Sequence, residues 1–156
     1  MVNTFMATAI DLGDPASPYG DIHPRYKQQV AARLSQAAIN VIYGESELYW
    51  LGPVAYEAVA ATNISAVVIS FRNIGNLGLQ IKNSVGFELL VGNSWQYNTN
   101  EIDFHLKLDL LIKCSVKMVR YNWYTAPCMP LEGIYQCAIY DQMSQLPATP
   151  FILSVQ

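Results

Sequence analysis

Charged residues are scarce in this chain. Only 13% of its 156 residues are Asp, Glu, Lys or Arg, whereas 52% are hydrophobic. The formal net charge is −3 and the Lys and Arg residues form no cluster, which argues against a protein that binds nucleic acid. No apolar run reaches the roughly 18 residues that a membrane-spanning helix needs. We therefore expect one domain or two small ones, with neither a nucleic acid nor a membrane as partner.

Histidine and cysteine are also scarce. The chain has two His and three Cys, and no two cysteines have Cys-x-x-Cys spacing. Structural zinc sites are usually built from such clusters, so we predict no metal site. The segment Met1–Asp14 lacks both the basic region and the long apolar core of a signal peptide.

The amino-terminal third shows one strand signal and one helix signal. Residues 5–12 are mostly apolar and run into Gly-Asp-Pro, which predicts a buried strand closed by a turn. Pro24 suits the first position of a helix, and Gly44 suits its end, so we predict a helix over Pro24–Tyr43. Its expected apolar face comprises Val30, Leu34, Ala37, Ala38 and Val41, and Arg33 is assigned to the opposite, polar face.

His23 lies in the loop between this strand and this helix. Such loops line the ligand site in open α/β sheets. A helix N-terminus disfavours the imidazolium ion, so a neutral imidazole at this position could accept a proton. The carboxylates of Asp14 and Asp21 are close in sequence, and one of them could orient the ring. His23 is therefore a candidate general base. The alternative is a capping or purely structural role.

The run DLGDPASPYGDIHPRYKQQVAARL, residues 11–34, resembles the His-bearing block of the sialate O-acetylesterases, which are serine esterases of the SGNH-hydrolase type. Three later segments resemble the carboxyl-terminal signature of the same family. They are VRYNWYTAPC at 119–128, QCAIYD at 136–141 and LPATPFI at 146–152. These segments occur in the family's order, and the resemblance spans essentially the whole chain.

The resemblance implies a reaction. In that family a His acts as general base for a Ser nucleophile, and the enzyme removes O-acetyl groups from sialic acid without a metal or an organic cofactor. His23 matches the catalytic His. SGNH enzymes typically place an Asp three residues before this His, where the present chain has Gly20. The nearest acid is Asp21, which is a candidate orienting residue. A backbone carbonyl in place of the Asp is the alternative.

The nucleophile has no counterpart in this sequence. The family's Ser lies in a Gly-rich block far upstream of the His, and neither Gly-x-Ser-x-Gly nor Gly-Asp-Ser occurs here. We expect a carboxyl-terminal portion that carries the base, either a fragment or a truncated product, with the missing amino-terminal part as its partner. Residues 1–47 would then be the remnant of the α/β esterase domain. Because the strand at Met1–Leu12 would have an exposed edge, we expect poor solubility.

Residues 48–156 carry repeated strand signals separated by Gly, Asn and Ser turns, which favours an antiparallel, sandwich-like all-β module. The overall fold class expected is α+β. In Ile102–Leu108 the residues alternate, which places His105 on the polar face. The expected strands lie in Leu48–Ala61, Ser65–Phe71, Leu79–Ile81, Gly86–Val91, Ile102–Leu108, Asp109–Tyr124 and Leu146–Ile152.

Two further features concern covalent chemistry. Cys128 and Cys137 flank a short, turn-rich loop that suits a local disulfide. Such a bond requires an oxidising compartment, which the resemblance implies to be lysosomal or secreted. Cys114 is left over, either as a buried free thiol or as the partner of a cysteine outside this sequence. Asn63 begins the one Asn-x-Ser/Thr sequon and is a candidate glycosylation site.

Two functions follow. The first is a carbohydrate esterase that hydrolyses O-acetyl esters on sialic acids, with His23 as base and the Ser supplied from outside this chain. The alternative is a non-enzymatic glycan-binding β-module or pseudoenzyme. For that alternative, Trp123 and Tyr124 could form one wall of a carbohydrate site, since aromatic faces stack on sugars; core packing is their other reading.

Overall fold

The structure, a computed structural model, describes residues 3–20, 22–47, 49–61, 66–97, 107–109, 116–125, 127–128 and 134–156. One helix and nine strands lie in these ranges: α1 Lys27–Tyr43, β1 Val54–Ala61, β2 Ala66–Arg72, β3 Leu79–Ile81, β4 Phe87–Val91, β5 Ser94–Tyr97, β6 Lys107–Asp109, β7 Val116–Tyr121, β8 Ile139–Asp141 and β9 Phe151–Ser154. The chain is therefore mostly antiparallel sheet with one helix, as expected for an α+β fold. Within the described ranges, no helix is long and apolar enough to cross a membrane.

The described strands form three antiparallel sheets, in the orders β1-β2-β6, β3-β8 and β5-β4-β7-β9. The first and the third sheet meet at a parallel bridge between Ala58 and Val155. A backbone hydrogen bond extends this junction, since the N–H of Ala60 donates to the carbonyl of Gln156 at 2.8 Å. The sheets therefore share one core.

Aromatic side chains fill the centre of that core. Tyr121 is fully buried, with its ring centroid 4.6 Å from that of Phe87 and 5.5 Å from that of Phe151. Its hydroxyl accepts a hydrogen bond from the backbone N–H of Ile139 at 3.2 Å, which ties β7 to β8. Burial raises the pKa of Tyr121, so the phenol stays protonated over the whole range in which the protein is handled.

The predicted strand at residues 5–12 is wrong. This segment is irregular, with a turn in which the N–H of Leu12 donates to the carbonyl of Ala9 at 3.0 Å. A strand is stable only where a neighbour pairs with it, and none of the described strands pairs with this segment. The expected exposed strand edge is therefore not a feature of the described structure.

The predicted helix is confirmed, although it begins at Lys27 rather than at Pro24. It ends at Tyr43, and Gly44 adopts a left-handed conformation with φ 80°. The predicted assignment of residues to the buried and the exposed face of this helix is partly wrong. Arg33 is only 6% exposed, whereas Leu34, expected inside, is 40% exposed. The physical reason is a buried carboxylate facing Arg33, described below.

Most predicted strands of the second half are present, with adjusted ends. The stretch Leu48–Ala61 becomes a strand only at Val54. Gly52, just before it, packs so tightly that a side chain there would collide with the carbonyl of Pro147. Two short strands, β5 and β8, were not predicted. Most of Ile102–Leu108, including His105, lies outside the described residues. The division into residues 1–47 and 48–156 stays a prediction.

Candidate active site

An ion pair closes the loop that carries His23. Asp14 is 4% exposed and accepts three hydrogen bonds from Arg25: from the backbone N–H at 3.0 Å, from Nε at 2.7 Å and from Nη2 at 2.9 Å. The hydrogen bonds from the guanidinium hold the pKa of Asp14 below its ordinary value near 3.8. The same pair raises the pKa of Arg25. The two ends of the loop are therefore held together by a charge-assisted clamp.

Within the clamp, the backbone of His23 is fixed on both sides. Its N–H donates to the carbonyl of Gly20 at 2.9 Å, and its carbonyl accepts from the hydroxyl of Ser17 at 2.6 Å. The Ser17 oxygen also accepts from the N–H of Tyr19 at 3.2 Å. The His23 side chain itself is exposed. The loop therefore holds its backbone in place and leaves the imidazole accessible.

His23 lies at the edge of an open pocket. The pocket has a volume of about 530 Å³ and is lined by Tyr19, His23, Pro24, Arg25 and Lys27. It combines one aromatic ring, one imidazole and two cationic side chains, of which Arg25 is balanced by Asp14. An acyl group and the hydroxyl that attacks it are small enough to meet the imidazole in such a space.

Among the described residues, no nucleophilic side chain contacts this imidazole. Ser17 is near in sequence, but its hydroxyl donates to the carbonyl of His23 and not to the ring. The predicted orienting residue, Asp21, lies outside the described residues, so its role stays a prediction. Asp14, the other nearby carboxylate, is engaged by Arg25. The described part of the site is therefore an accessible imidazole without a nucleophile beside it.

A second polar cluster, centred on Asp11, was missed from the sequence. Asp11 and Arg33 form a two-point ion pair at 2.7 and 2.9 Å, and the hydroxyl of Tyr140 donates to the same carboxylate at 3.0 Å. Burial, followed by the neighbouring Asp11 charge, raises the pKa of Tyr140 and keeps its hydroxyl a donor. The backbone N–H of Tyr135 donates to the carbonyl of Asp11 at 3.0 Å. The only signal in the sequence was an acid at the end of an apolar run.

This cluster borders a second cavity, of about 400 Å³, between α1 and the strands. Arg33, Lys82 and Tyr140 line it, and the ammonium of Lys82 lies 4.0 Å from the Tyr140 ring centroid. It shares no lining residue with the His23 pocket. In the ranges that the structure describes, no three His, Cys, Asp or Glu side chains are grouped as metal ligands.

The predicted disulfide between Cys128 and Cys137 is present. Both cysteines are buried, and the side-chain amide of Asn122 donates to the sulfur of Cys128 at 3.3 Å. Cys114 and the sequon at Asn63 lie outside the described residues. Their state stays a prediction.

The aromatic segment proposed for sugar contact is divided between surface and interior. Trp123 is 54% exposed, whereas Tyr124 is half-buried and its hydroxyl donates to the carbonyl of Pro127 at 2.9 Å. The ring of Tyr124 meets that of Tyr97 edge to face, with centroids 5.7 Å apart. Tyr97 is 63% exposed. Two aromatic side chains near the end of the four-stranded sheet therefore reach solvent.

The chain has relatives of known name. The sialate O-acetylesterase C-terminal domain family matches residues 57–155. A sialate O-acetylesterase from Mus musculus is 35% identical over 167 residues, which cover 99% of this chain and 29% of the relative. One from Homo sapiens is 35% identical over 159 residues, which cover 97% of this chain and 29% of the relative.

A solved structure is also similar. It is the crystal structure of a carbohydrate acetylesterase from Xanthomonas citri, with a TM-score of 0.69 and 26% identity, and the match covers 94% of this chain and 32% of that one. The chain thus spans less than a third of the length of these relatives. The His23 loop and α1 precede the family match, yet the alignments with the relatives cover nearly the whole chain.

Proposed function

This chain belongs to the sialate O-acetylesterase C-terminal domain family, and we propose that it is the part of a carbohydrate acetylesterase that supplies the catalytic base. The proposed substrate is an O-acetylated sialic acid. The observation that carries the proposal is the presentation of His23: an exposed imidazole on a loop closed by the Asp14–Arg25 clamp.

In the proposed mechanism, His23 accepts the proton of a serine hydroxyl contributed by the rest of the enzyme. The serine oxygen attacks the acetyl carbonyl, and the sugar hydroxyl leaves with the proton that the imidazolium returns. Water then attacks the acetyl-enzyme, again with His23 as base, and acetate is released. Asp21, the acid nearest in sequence to the position where the family carries its Asp, is the proposed orienting residue for the ring, and a backbone carbonyl is the alternative.

The charges around the pocket suit this chemistry. A free guanidinium beside His23 would oppose formation of the imidazolium. Arg25 lines the same pocket, but its charge is balanced by Asp14 at 2.7 Å. The clamp therefore fixes the loop and balances one of the two cationic side chains that line the pocket.

We also propose an oxidising location, lysosomal or secreted. A buried disulfide in the described core supports it, because disulfides persist in such compartments. Glycosylation at Asn63 would agree with the same location and belongs to the proposal.

The test joins this chain to the portion that its relatives have in addition. In the joined protein, this chain replaces the matching 29% of the Mus musculus relative. We expect the joined protein to release acetate from O-acetylated sialic acid and the chain alone to release none. His23→Ala should lower kcat/KM by about a thousandfold or more, since the base acts only in the reaction steps.

The second histidine provides the matched control. His105→Ala in the joined protein should keep kcat/KM within about twofold of the unmodified value. Near-normal turnover of the His23→Ala variant would refute the proposed role of His23. Acetate released by the chain alone would refute the need for an external nucleophile.

A second candidate function, glycan binding without hydrolysis, is favoured by the exposed rings of Tyr97 and Trp123. Its test is a titration of the chain with a sialylated glycan, followed by calorimetry. Saturable binding that is lost in Tyr97→Ala and Trp123→Ala variants, with no acetate released by the joined protein, would establish this function instead of the esterase.

A further inference from the structure

The cavity between α1 and the strands holds a positive charge without a counter-charge. Its volume is about 400 Å³, and two cationic side chains, Arg33 and Lys82, line it. Arg33 is neutralised by the buried carboxylate of Asp11 at 2.7 Å. Among the described residues, no Asp or Glu lines the cavity and none forms an ion pair with Lys82. The cavity therefore offers one unbalanced ammonium group to a ligand.

Two neighbours hold that ammonium group at the cavity. The nitrogen of Lys82 donates to the carbonyl of Tyr135 at 3.2 Å and lies 4.0 Å from the centroid of the Tyr140 ring. The backbone is fixed as well, since the N–H of Lys82 donates to the carbonyl of Ala138 at 2.8 Å. An ammonium group has three hydrogens to donate, and the carbonyl takes only one of them. The group can therefore still donate to an anion placed in the cavity.

Two buried carboxylates contact residues that line the cavity, and both are already engaged. The Asp11 carboxylate accepts from Arg33 and from the hydroxyl of Tyr140. Asp141 is 1% exposed and accepts from the N–H and the hydroxyl of Ser144, at 2.6 and 2.7 Å. An anion in the cavity would therefore meet the ammonium group of Lys82 and no exposed carboxylate.

Glutamine side chains supply neutral hydrogen-bonding groups around the cavity. Gln29 and Gln36 lie two turns apart on one side of α1, and Gln145 follows β8. Among the described residues, no hydrogen bond engages the side-chain amides of Gln29 and Gln36. The amide nitrogen of Gln145 donates to the carbonyl of Gln142 at 2.8 Å, which leaves its oxygen available as an acceptor. Because amides both donate and accept, they suit the hydroxyl groups of a sugar.

Two residues of the cavity wall have an unusual backbone conformation. In the described part of the chain, five residues other than glycine have a positive φ, and three of them are Asn, which adopts this conformation readily. The other two, Tyr135 at φ 63° and Gln145 at φ 57°, both line this cavity. Such conformations cost free energy and collect at ligand sites. Their coincidence at one cavity indicates that this wall is shaped to bind a ligand.

We propose that this cavity binds a sugar acid, a monosaccharide ring that carries a carboxylate. The ammonium group of Lys82 binds the carboxylate, and the amides of Gln29 and Gln36 bind the hydroxyls. The ring of Tyr135, 38% exposed, packs against the apolar face of the sugar. The volume agrees, since small-molecule sites measure about 300–1,000 Å³. The site shares no lining residue with the His23 pocket, and the inference does not rest on the proposed function.

An NMR titration of the isotope-labelled chain with N-acetylneuraminic acid, at constant pH and ionic strength, tests the site residue by residue. We expect saturable shifts in the backbone amides of Lys82 and of residues 134–146. Two partial probes, N-acetylmannosamine without the carboxylate and acetate without the ring, should bind at least about tenfold more weakly. A folded chain without saturable shifts in these residues would overturn the proposal, and so would acetate that binds as tightly as the sugar acid.

Glucuronic acid is the second complete probe, because a sugar carboxylate occurs in uronic acids as well as in sialic acids. Saturable binding of either compound supports the proposal, and the tighter of the two identifies the source of the ligand. Shifts that are larger around His23 than around Lys82 with both compounds would place the ligand in the other pocket and would overturn the proposal.

Variants separate the charge of Lys82 from its packing. Lys82→Met should weaken binding of N-acetylneuraminic acid at least about tenfold, and Lys82→Arg should restore most of the affinity. Lys117→Met is the matched control, since that ammonium contacts Asn93 at 3.3 Å on another strand, and its affinity should stay within about twofold. Equal affinity of Lys82→Met and the unmodified chain would overturn the proposal. If Lys82→Met is unfolded, Gln36→Leu replaces it, with an expected loss of about threefold or more.

The proposal is tested separately from the hydrolysis. His23→Ala should abolish acetate release by the joined protein and leave this titration unchanged, and a loss of binding in that variant would overturn the proposal. If the chain alone precipitates, the joined protein replaces it, and hydrogen exchange of residues 134–146 is measured instead. N-acetylneuraminic acid should then slow exchange in the unmodified protein and not in Lys82→Met. Equal exchange with and without the sugar acid would overturn the proposal.

Discussion

Arg33 pairs with Asp11 across 22 positions of sequence, through two contacts of 2.7 and 2.9 Å, with neither side chain more than 7% exposed. The pair joins α1 to the irregular amino-terminal segment. Tyr140 adds a hydrogen bond from β8 to the same carboxylate at 3.0 Å. A polar contact, and not an apolar face, therefore fixes which side of α1 is turned inward.

The first prediction concerns this pair. Asp11→Leu should lower the free energy of unfolding by about 3–5 kcal/mol, because it leaves the Arg33 charge buried without a partner. Arg33→Met should cost a similar amount. The double variant should lose clearly less than the sum, since neither charge remains. Chemical denaturation of the four proteins measures the coupling, and strictly additive losses would show that the pair is not coupled.

Tyr140→Phe is the milder companion variant. It removes only the hydroxyl that donates to Asp11 and should cost about 1 kcal/mol. The packing of the ring is retained, including its contact with Lys82. A loss as large as that of Asp11→Leu would mean that the hydroxyl, and not the ion pair, holds this junction.

The second prediction is a pH dependence set by Asp14. Its pKa in the folded protein lies below the ordinary value near 3.8, because Arg25 donates to the carboxylate. A lowered pKa means that the unfolded chain binds the proton more readily. The stabilisation is therefore complete above about pH 5 and is lost as pH falls through the folded-state pKa. Between about pH 5 and pH 3, the free energy of unfolding of the Asp14→Asn variant should therefore fall less steeply than that of the unmodified protein.

The same substitution should affect catalysis. In the joined protein, Asp14→Asn should reduce kcat/KM by roughly tenfold to a hundredfold, because the base is no longer held in place. His23 is unchanged in this variant, so some turnover should remain, unlike in His23→Ala. Unchanged turnover together with lowered stability would limit the clamp to a structural role.

The third prediction concerns the disulfide. Replacing Cys128 and Cys137 by Ser should lower the free energy of unfolding by about 2–3 kcal/mol, since the bond closes a short loop and constrains the unfolded chain. Reductant should bring the unmodified protein to the same midpoint of denaturation and leave the variant unaffected. Two free thiols at these positions in protein from its native source would contradict the assignment.

The regular elements could be predicted because their signals are local. Helical spacing and Gly44 define α1, and the β-branched run before Arg72 defines β2. The strand expected at residues 5–12 failed because an apolar run becomes a strand only with a neighbour to pair with. The prediction that Arg33 lies on the polar, outer face of the helix failed for a related reason, since its partner Asp11 is remote in sequence.

In the candidate site, too, some features could be predicted from the sequence and others could not. The place of His23 before a helix could be predicted from Pro24 and the residues after it, and the family resemblance supplied its proposed role. The clamp between Asp14 and Arg25 could not be predicted, because the sequence does not reveal which carboxylate faces Arg25. Asp21, chosen as the acid nearest to His23, stays a prediction.

The central claim is that His23 activates a serine that another part of the enzyme contributes. A fluorophosphonate, which phosphonylates a serine activated by a base, tests it directly when the labelled peptide is identified by mass spectrometry. The account predicts labelling of the joined protein at a serine outside this chain, slowed at least about a hundredfold by His23→Ala and unaffected by His105→Ala. Labelling of Ser17 or of any other serine of this chain, or full-rate labelling of the His23→Ala variant, would contradict it.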